Sequence, residues 1–147
     1  MKLLAFELAT EACSVALWDD GEVRERFEVA PRRHAELALP WADALLAEAG
    51  MAKSQLDAIA IGRGPGAFTG VRLAIALVQG LALALDRPVL PVSTLAVLAM
   101  QGRGAHVLAA MCTARGELLA PEKVEPTYLR NQVALTLAQQ QALRDAR

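Results

Sequence analysis

The stretch Gly62-Arg-Gly-Pro-Gly-Ala-Phe-Thr-Gly-Val-Arg-Leu73 carries more structural information than any other part of this chain. It follows a short apolar run at 58–61, which predicts a strand, and leads into an apolar stretch that predicts a helix over 69–86. Glycine permits positive φ and close backbone approach, and Pro65 restrains the turn between the glycines. A strand, a glycine-rich loop and a helix N-terminus in that order can bind an anion through backbone N–H groups. The stretch therefore predicts either a phosphate loop or a tight turn that needs glycine for packing.

The composition is typical of one α/β domain. Of 147 residues, 54% are hydrophobic and only 4% aromatic, which favours close-packed helices over an all-β sandwich. A formal net charge of −1 excludes a broad cationic surface for nucleic acid.

Cys13 and Cys112 lack the spacing of metal ligands, and we expect two buried thiols in a reducing cytoplasm. The apolar helix contains Gln79 and is shorter than the ~20 residues of a membrane span, so we expect a soluble protein.

The apolar runs and turn residues predict the element order β-β-β-α-β-α-β-α. An antiparallel meander that enters a parallel α/β sheet is typical of a ribonuclease H-like or actin-like lobe with a mixed five-stranded sheet. Thr69 is the expected N-cap of the second long helix, and Pro40 interrupts the first. The predicted strands are 3–8, 14–18, 23–29, 58–61 and 89–92, with a sixth beginning at 107–111, and the predicted helices are 33–49, 69–86 and 93–101.

The pattern fails at one place, which is the only candidate boundary in the chain. Residues 1–114 form the expected lobe, whereas 115–125 contain polar loop composition without a completed element. Residues 126–147 then form a C-terminal segment with a glutamine-rich helical pattern. We interpret 115–125 as a join, or as a remnant of a second lobe.

Two loops are candidate phosphate loops, and each has a structural alternative. The first lies between the first two strands, where Glu7 is a candidate to position hydrated Mg²⁺, although an ordinary polar hairpin has the same composition. The second is the glycine loop, whose Gly-x-Gly-x-x-Ala pattern is a weak dinucleotide fingerprint because it follows the fourth strand rather than the first. The candidate phosphate-loop residues are Thr10, Ser14, Gly62, Gly64, Gly66 and Thr69.

Both long helices have apolar arcs wider than the ~100° that one sheet face requires. The excess can be buried within the domain or against another protein, and an unburied excess would exceed the apolar patch usual for a monomer. We favour a partner interface over internal burial. The predicted interface residues are His34, Leu37, Trp41, Leu45, Arg72, Ile75, Val78, Gln79 and Ala82.

The sequence offers few groups for catalysis by side chains. His34 and His106 lie far apart, and neither has a second ligand three or four residues away, so we expect no metal site. The chain also has no Gly-x-Ser-x-Gly nucleophile elbow. We therefore expect no catalytic residues and no required cofactor, with weak binding of a nucleotide or Mg²⁺ left open.

Four stretches of the chain resemble the TsaB (YeaZ) family of actin-like proteins of tRNA modification. They occur in the family's order and are Leu8-Ala-Thr-Glu-Ala-Cys-Ser-Val-Ala-Leu-Trp18, Gly62-Arg-Gly-Pro-Gly-Ala-Phe-Thr-Gly-Val-Arg72, Gln79-Gly-Leu-Ala-Leu83 and Pro126-Thr-Tyr-Leu-Arg-Asn131. The resemblance implies a non-catalytic partner of the paralogue TsaD in forming N6-threonylcarbamoyladenosine in tRNAs that read codons starting with A. It also implies assistance by the ATPase TsaE through the complex, indirect contact with tRNA, and a homodimer when the protein is alone. Both dimers would use the helices at 33–49 and 69–86. The alternative function is an ATP-binding phosphotransferase of the actin-like fold.

Two departures from the family pattern bear on this resemblance. Many relatives have Asp at the position of Glu7, which weakens any nucleotide-linked role for that residue. Relatives also have a second lobe between the positions equivalent to 117 and 126, which are nearly adjacent here. Either this lobe is lost, or the sequence joins segments that flank further residues. The second interpretation is favoured because 114–126 show no turn chemistry suited to a designed connection between the two segments.

Overall fold

The structure is a computed structural model in which residues 1–99 and 118–127 are described. The predictions for Cys112 and His106, for the strand at 107–111 and for the C-terminal helix lie outside these residues. The described strands are β1 (Lys2–Glu7), β2 (Ala12–Asp19), β3 (Glu22–Val29), β4 (Ala58–Gly62) and β5 (Val89–Val92). The α-helices are α1 (His34–Glu48), α2 (Phe68–Leu85) and α3 (Thr94–Ala99), and short 3-10 helices occupy Lys53–Gln55 and Pro121–Lys123.

The five strands form one mixed sheet in the order β3-β2-β1-β4-β5. The first three strands pair antiparallel as a meander, and β4 and β5 continue the sheet in parallel. Parallel neighbours need a crossover connection, and α2 supplies the crossover between β4 and β5. The predicted α/β class, the element order and the mixed five-stranded sheet are confirmed.

The two faces of the sheet have different side chains. The face covered by α1 and α2 holds the main hydrophobic cluster, in which Phe6, Leu17, Ile59 and Ile61 are fully buried. The opposite face contributes a smaller cluster, built from Ala5, Ala16, Ala60, Leu90, Val92 and Val97. Alternation of side chains along each strand produces this division.

Helix α2 begins earlier than its sequence indicates. The N-cap is Ala67, with extended φ and ψ and no side-chain capping bond, so the prediction of Thr69 as N-cap is wrong. The physical reason is tertiary, because the Ala67 N–H donates to the carbonyl of Ala9 in the β1–β2 loop at 2.6 Å. That contact holds the chain in position for a helix from Phe68 onward.

Residues 118–127 return to the core. Leu119 forms an isolated antiparallel bridge with Val89, and the 3-10 helix Pro121–Lys123 follows it. Val124 is buried in the main cluster. Much of the predicted join therefore contacts the lobe directly.

Candidate functional site

The glycine loop and the β1–β2 loop lie directly against each other. A Cβ on Gly66 would lie 2.3 Å from the Ala9 carbonyl oxygen, and a Cβ on Gly70 would lie 2.3 Å from the Leu8 carbonyl oxygen. Real Cβ atoms do not approach backbone this closely. These two glycines therefore permit backbone contact between the loops, as expected for a tight turn that needs glycine for packing.

Glu7 lies at the centre of this contact, at the end of β1. Its side chain is 9% exposed, and its two oxygens accept hydrogen bonds from Ala9 N at 2.9 Å and from Thr94 Oγ1 at 3.1 Å. A Cβ on Gly62 would lie 1.8 Å from the Glu7 carboxylate, so a larger residue there would displace this buried carboxylate. Burial raises the pKa of Glu7, and the two hydrogen bonds offset part of this effect. The carboxylate thus joins β1, β4 and the start of α3.

The remaining backbone of the glycine loop is bound to its neighbours. Arg63 N donates to the Val92 carbonyl at 2.9 Å, and Gly64 O accepts from Thr94 N at 2.9 Å. Arg63 O accepts from Thr127 N at 2.8 Å. Gly64 has φ of 92°, a conformation that favours glycine, and the Gly64–Pro65 peptide bond is cis. A phosphate would need N–H donors, and the N–H groups of Arg63 and Ala67 already donate to protein carbonyls.

The structure divides the candidate phosphate-loop residues into two sets. Thr10, Gly66 and Thr69 line one groove of about 840 Å³. Gly62 and Gly64 are buried outside it, and Ser14 donates its hydroxyl to Glu25 Oε1 at 2.7 Å. The described residues that line the groove are Ala9, Thr10, Glu11, Pro31, Arg32, His34, Ala35, Gly66, Ala67, Thr69, Gly70 and Leu73.

The groove is mostly apolar, with a few polar groups around the first turn of α2. This turn has no side-chain cap, and the Thr69 side chain is exposed beside it. His34 is buried at the start of α1, and its Nε2 lies 3.2 Å from the Ala12 carbonyl oxygen. His34 was predicted as an interface residue, but it connects α1 to β2.

Burial corrects the predicted interface for four further residues. Leu45, Ile75, Val78 and Ala82 are buried in the main cluster against the sheet, so they cannot contact a partner in this fold. Packing on the sheet buries this side of each helix, and the sequence alone did not distinguish it from the side that faces outward. Of the other predicted interface positions, Leu37, Trp41 and Gln79 are half-buried and Arg72 is exposed.

Gln79 and Arg72 make contacts within the chain. The Gln79 amide donates to the carbonyls of Pro121 at 2.9 Å and Val124 at 3.3 Å. The Arg72 guanidinium lies 3.5 Å from the centre of the Phe68 ring, in the geometry of a cation–π pair. Gln79 is therefore oriented toward residues 118–127 rather than toward a partner.

The outward surfaces of the long helices contain apolar residues that the sequence analysis did not select. Leu83 is 64% exposed on α2 and Leu39 is 42% exposed on α1. Small exposed residues, Ala76, Gly80 and Ala84, accompany Leu83 on α2. Their spacing of four places them on one helical face, and that spacing was the available signal. We call Leu39, Ala76, Gly80, Leu83 and Ala84 the outer arc.

Helix α2 is also as apolar as a membrane-spanning helix. Its 18 residues are long and apolar enough to cross a membrane by length and composition, a test that core helices of soluble proteins also pass. In this structure the buried side of α2 packs on the sheet, and we call its residues, Val71, Ala74, Ile75, Val78 and Ala82, the inner arc.

Metal-ligand chemistry is sparse in the described part of the chain. Within residues 1–99 and 118–127, no group of three or more His, Cys, Asp or Glu side chains comes together. Cys13 is a buried free thiol, and burial, with a smaller contribution from Glu28, raises its pKa to about 11. Such a thiol is a poor nucleophile at neutral pH.

Comparison with known proteins identifies the family. The family model of TsaD, tRNA N6-adenosine threonylcarbamoyltransferase, matches residues 27–140. The tRNA threonylcarbamoyladenosine biosynthesis protein TsaB of Escherichia coli is 45% identical over 122 residues, covering 80% of this chain and 53% of that protein. The chain thus spans about half the length of this relative.

Two solved structures from Pseudomonas aeruginosa are similar in fold and sequence. YeaZ is 62% identical with a TM-score of 0.66, covering 67% of this chain and 46% of the other. A protein described as similar to peptidase YeaZ is 34% identical with a TM-score of 0.79, covering 88% of this chain and 99% of the other. The chain therefore belongs to the TsaD family of actin-like proteins, in its TsaB (YeaZ) group.

Proposed function

We propose that this chain is a non-catalytic partner subunit in the formation of N6-threonylcarbamoyladenosine in tRNAs that read codons starting with A. The name of the Escherichia coli relative supports the pathway. The observation that carries the subunit role is the outer arc, because it leaves leucine and small residues of two helices exposed. Exposed apolar patches of this kind mark protein interaction sites.

The partner in this proposal is a TsaD paralogue, bound through the outer arc. The small residues on α2 let another helix approach closely, and among the described residues no atom lies within 4 Å of a Cβ added at Gly80. Leu83 then supplies a large side chain whose burial is worth about 1.5–3 kcal/mol. A second copy of the chain would use the same surface, which gives a homodimer when the protein is alone.

The remaining parts of the proposal concern location and further partners. TsaE acts through the assembled complex, and tRNA contact is indirect because the net charge of −1 provides no broad cationic surface. The buried free thiol of Cys13 suits the reducing cytoplasm, where we place the protein.

The test is association with a purified TsaD-type protein, measured by light scattering and calorimetry. We expect Leu83→Asp to weaken the heterodimer roughly 100-fold, because a buried carboxylate would replace an apolar contact. The matched control is Phe27→Asp, since Phe27 is 61% exposed and lies on the opposite face of the sheet. Unchanged affinity of the folded Leu83→Asp variant would exclude the outer arc as the interface.

The second candidate function is nucleotide binding by an actin-like phosphotransferase. The groove beside the uncapped first turn of α2 favours it, because Thr10 and Thr69 supply hydroxyls there. We rank it lower because the Glu7 carboxylate occupies the space next to Gly62 and Ala9 of the β1–β2 loop occupies the space next to Gly66. Calorimetry with Mg-ATP tests it. Tight binding that is lost in Thr69→Val and kept in Ser14→Ala would favour this function over the subunit role.

A further inference from the structure

We propose that residues 118–127 form a strap that Gln79 and Val124 lock across α2, and that the strap docks and releases as one unit connected to the glycine loop. The strap, residues 118–127, runs from the backbone bridge between Leu119 and Val89 to the hydrogen bond between Thr127 and Arg63. This inference does not depend on the proposed function, because its observations concern only contacts within the chain.

The two ends of the strap are held by backbone hydrogen bonds. Near its start, Leu119 and Val89 exchange N–H···O bonds of 2.8 Å in both directions, which extends the edge of the sheet at β5. At its end, Thr127 N donates to Arg63 O at 2.8 Å. The strap therefore connects the beginning of β5 with the glycine loop.

Between these ends, a single side chain of α2 holds the turn of the strap. The Gln79 amide nitrogen donates to the carbonyls of Pro121 and Val124, which bracket the 3-10 helix. An amide with two N–H donors suits two carbonyl acceptors, whereas an apolar side chain would leave both without this partner. Gln79 is therefore a positioning residue for the strap.

Val124 provides the apolar part of the lock. It is 3% exposed and belongs to the main cluster that α2 forms with the sheet. Lys123 and Glu125 on either side are exposed, so this one valine inserts into the core while its neighbours stay in solvent. Loss of the Gln79 contact would remove the hydrogen bonds that orient this insertion.

The glycine loop is coupled to the strap by close packing. A Cβ on Gly64 would lie 3.1 Å from the Thr127 carbonyl oxygen, so the end of the strap rests against the loop. Since Arg63 also accepts the Thr127 N–H, release of the strap removes support from the loop at two adjacent positions.

Limited trypsin digestion of the full chain tests the proposal, because Lys123 lies inside the strap and Lys53 provides an internal reference site. We expect Gln79→Leu to raise cleavage after Lys123 roughly tenfold relative to cleavage after Lys53, since about two hydrogen bonds are lost. Val124→Ala should act in the same direction. Ala47→Ser, on an exposed position of α1 outside the outer arc, should change neither rate.

Hydrogen exchange shows whether the two ends of the strap open together or separately. In Gln79→Leu, the amides of Leu119 and Thr127 should exchange faster together, while the β1 amides stay protected. Unchanged cleavage after Lys123 would overturn the proposal, and so would faster exchange at only one end. Equal acceleration at Lys53 and Lys123 would also overturn it, because the strap would then open only with the whole fold.

Discussion

The glycine loop and the outer arc differ in how much space the surrounding protein leaves for a side chain. In the glycine loop, Gly62, Gly66 and Gly70 face protein atoms so closely that a single Cβ would clash. On the outer arc, no described atom lies within 4 Å of a Cβ added at Gly80, and Leu83 is 64% exposed. Packing therefore constrains the glycine-rich stretch, whereas packing among the described residues places no such constraint on the outer arc.

The first prediction contrasts the inner and outer arcs of α2. We expect Ile75→Ala to lower the free energy of unfolding by about 2–4 kcal/mol, because Ile75 is 7% exposed and its removal leaves a cavity. Leu83→Ala should change stability by no more than about 0.5 kcal/mol. Urea unfolding followed by circular dichroism measures both. Equal effects of the two substitutions would contradict the assignment of inner and outer arcs.

A second pair of variants compares two glycines. We expect Gly62→Ala to cost about 2 kcal/mol, because the new methyl group meets the buried Glu7 carboxylate. Gly80→Ala should instead add about 0.5–1 kcal/mol, because alanine favours a helix interior and the space is open. The double variant Gly62→Ala with Glu7→Ala should lose less than the sum of the single effects, as residues in contact do. Additive effects would show that the two positions do not interact.

The third prediction concerns the pH dependence of stability. The pKa of Glu7 is raised in the folded protein, mainly by burial, so its contribution is most favourable below the ordinary Glu pKa of 4.5. That contribution is lost as the pH rises from this value through the raised pKa. We expect Glu7→Gln to flatten this part of the profile and to increase stability at neutral pH relative to the unsubstituted chain.

The measurement for Glu7→Gln is the urea midpoint across pH 4–8. Glu36→Gln serves as the control, because Glu36 is exposed on α1. An unchanged profile in Glu7→Gln would mean that Glu7 does not contribute to the pH dependence.

Much of the framework was predictable from hydrophobic periodicity. The meander, the two long helices and β4 followed from apolar runs and turn residues, with boundaries close to those observed. The start of α2 was not predictable, because the Ala9 carbonyl that holds Ala67 belongs to a loop distant in sequence. The hydrogen bonds of Gln79 within the chain were not predictable for the same reason, since their acceptors are the distant carbonyls of Pro121 and Val124.

Local sequence by itself determined the order of strands and helices and the excess of apolar surface on α1 and α2, because periodicity and turn chemistry act between near neighbours. Only the tertiary structure decided which arc of α2 packs on the sheet, because leucine and alanine suit either side of a helix. It also decided that Glu7 occupies the space beside Gly62, since that contact joins separate strands. Both outcomes depend on which distant segments of the chain come close together, and residue types alone do not specify this.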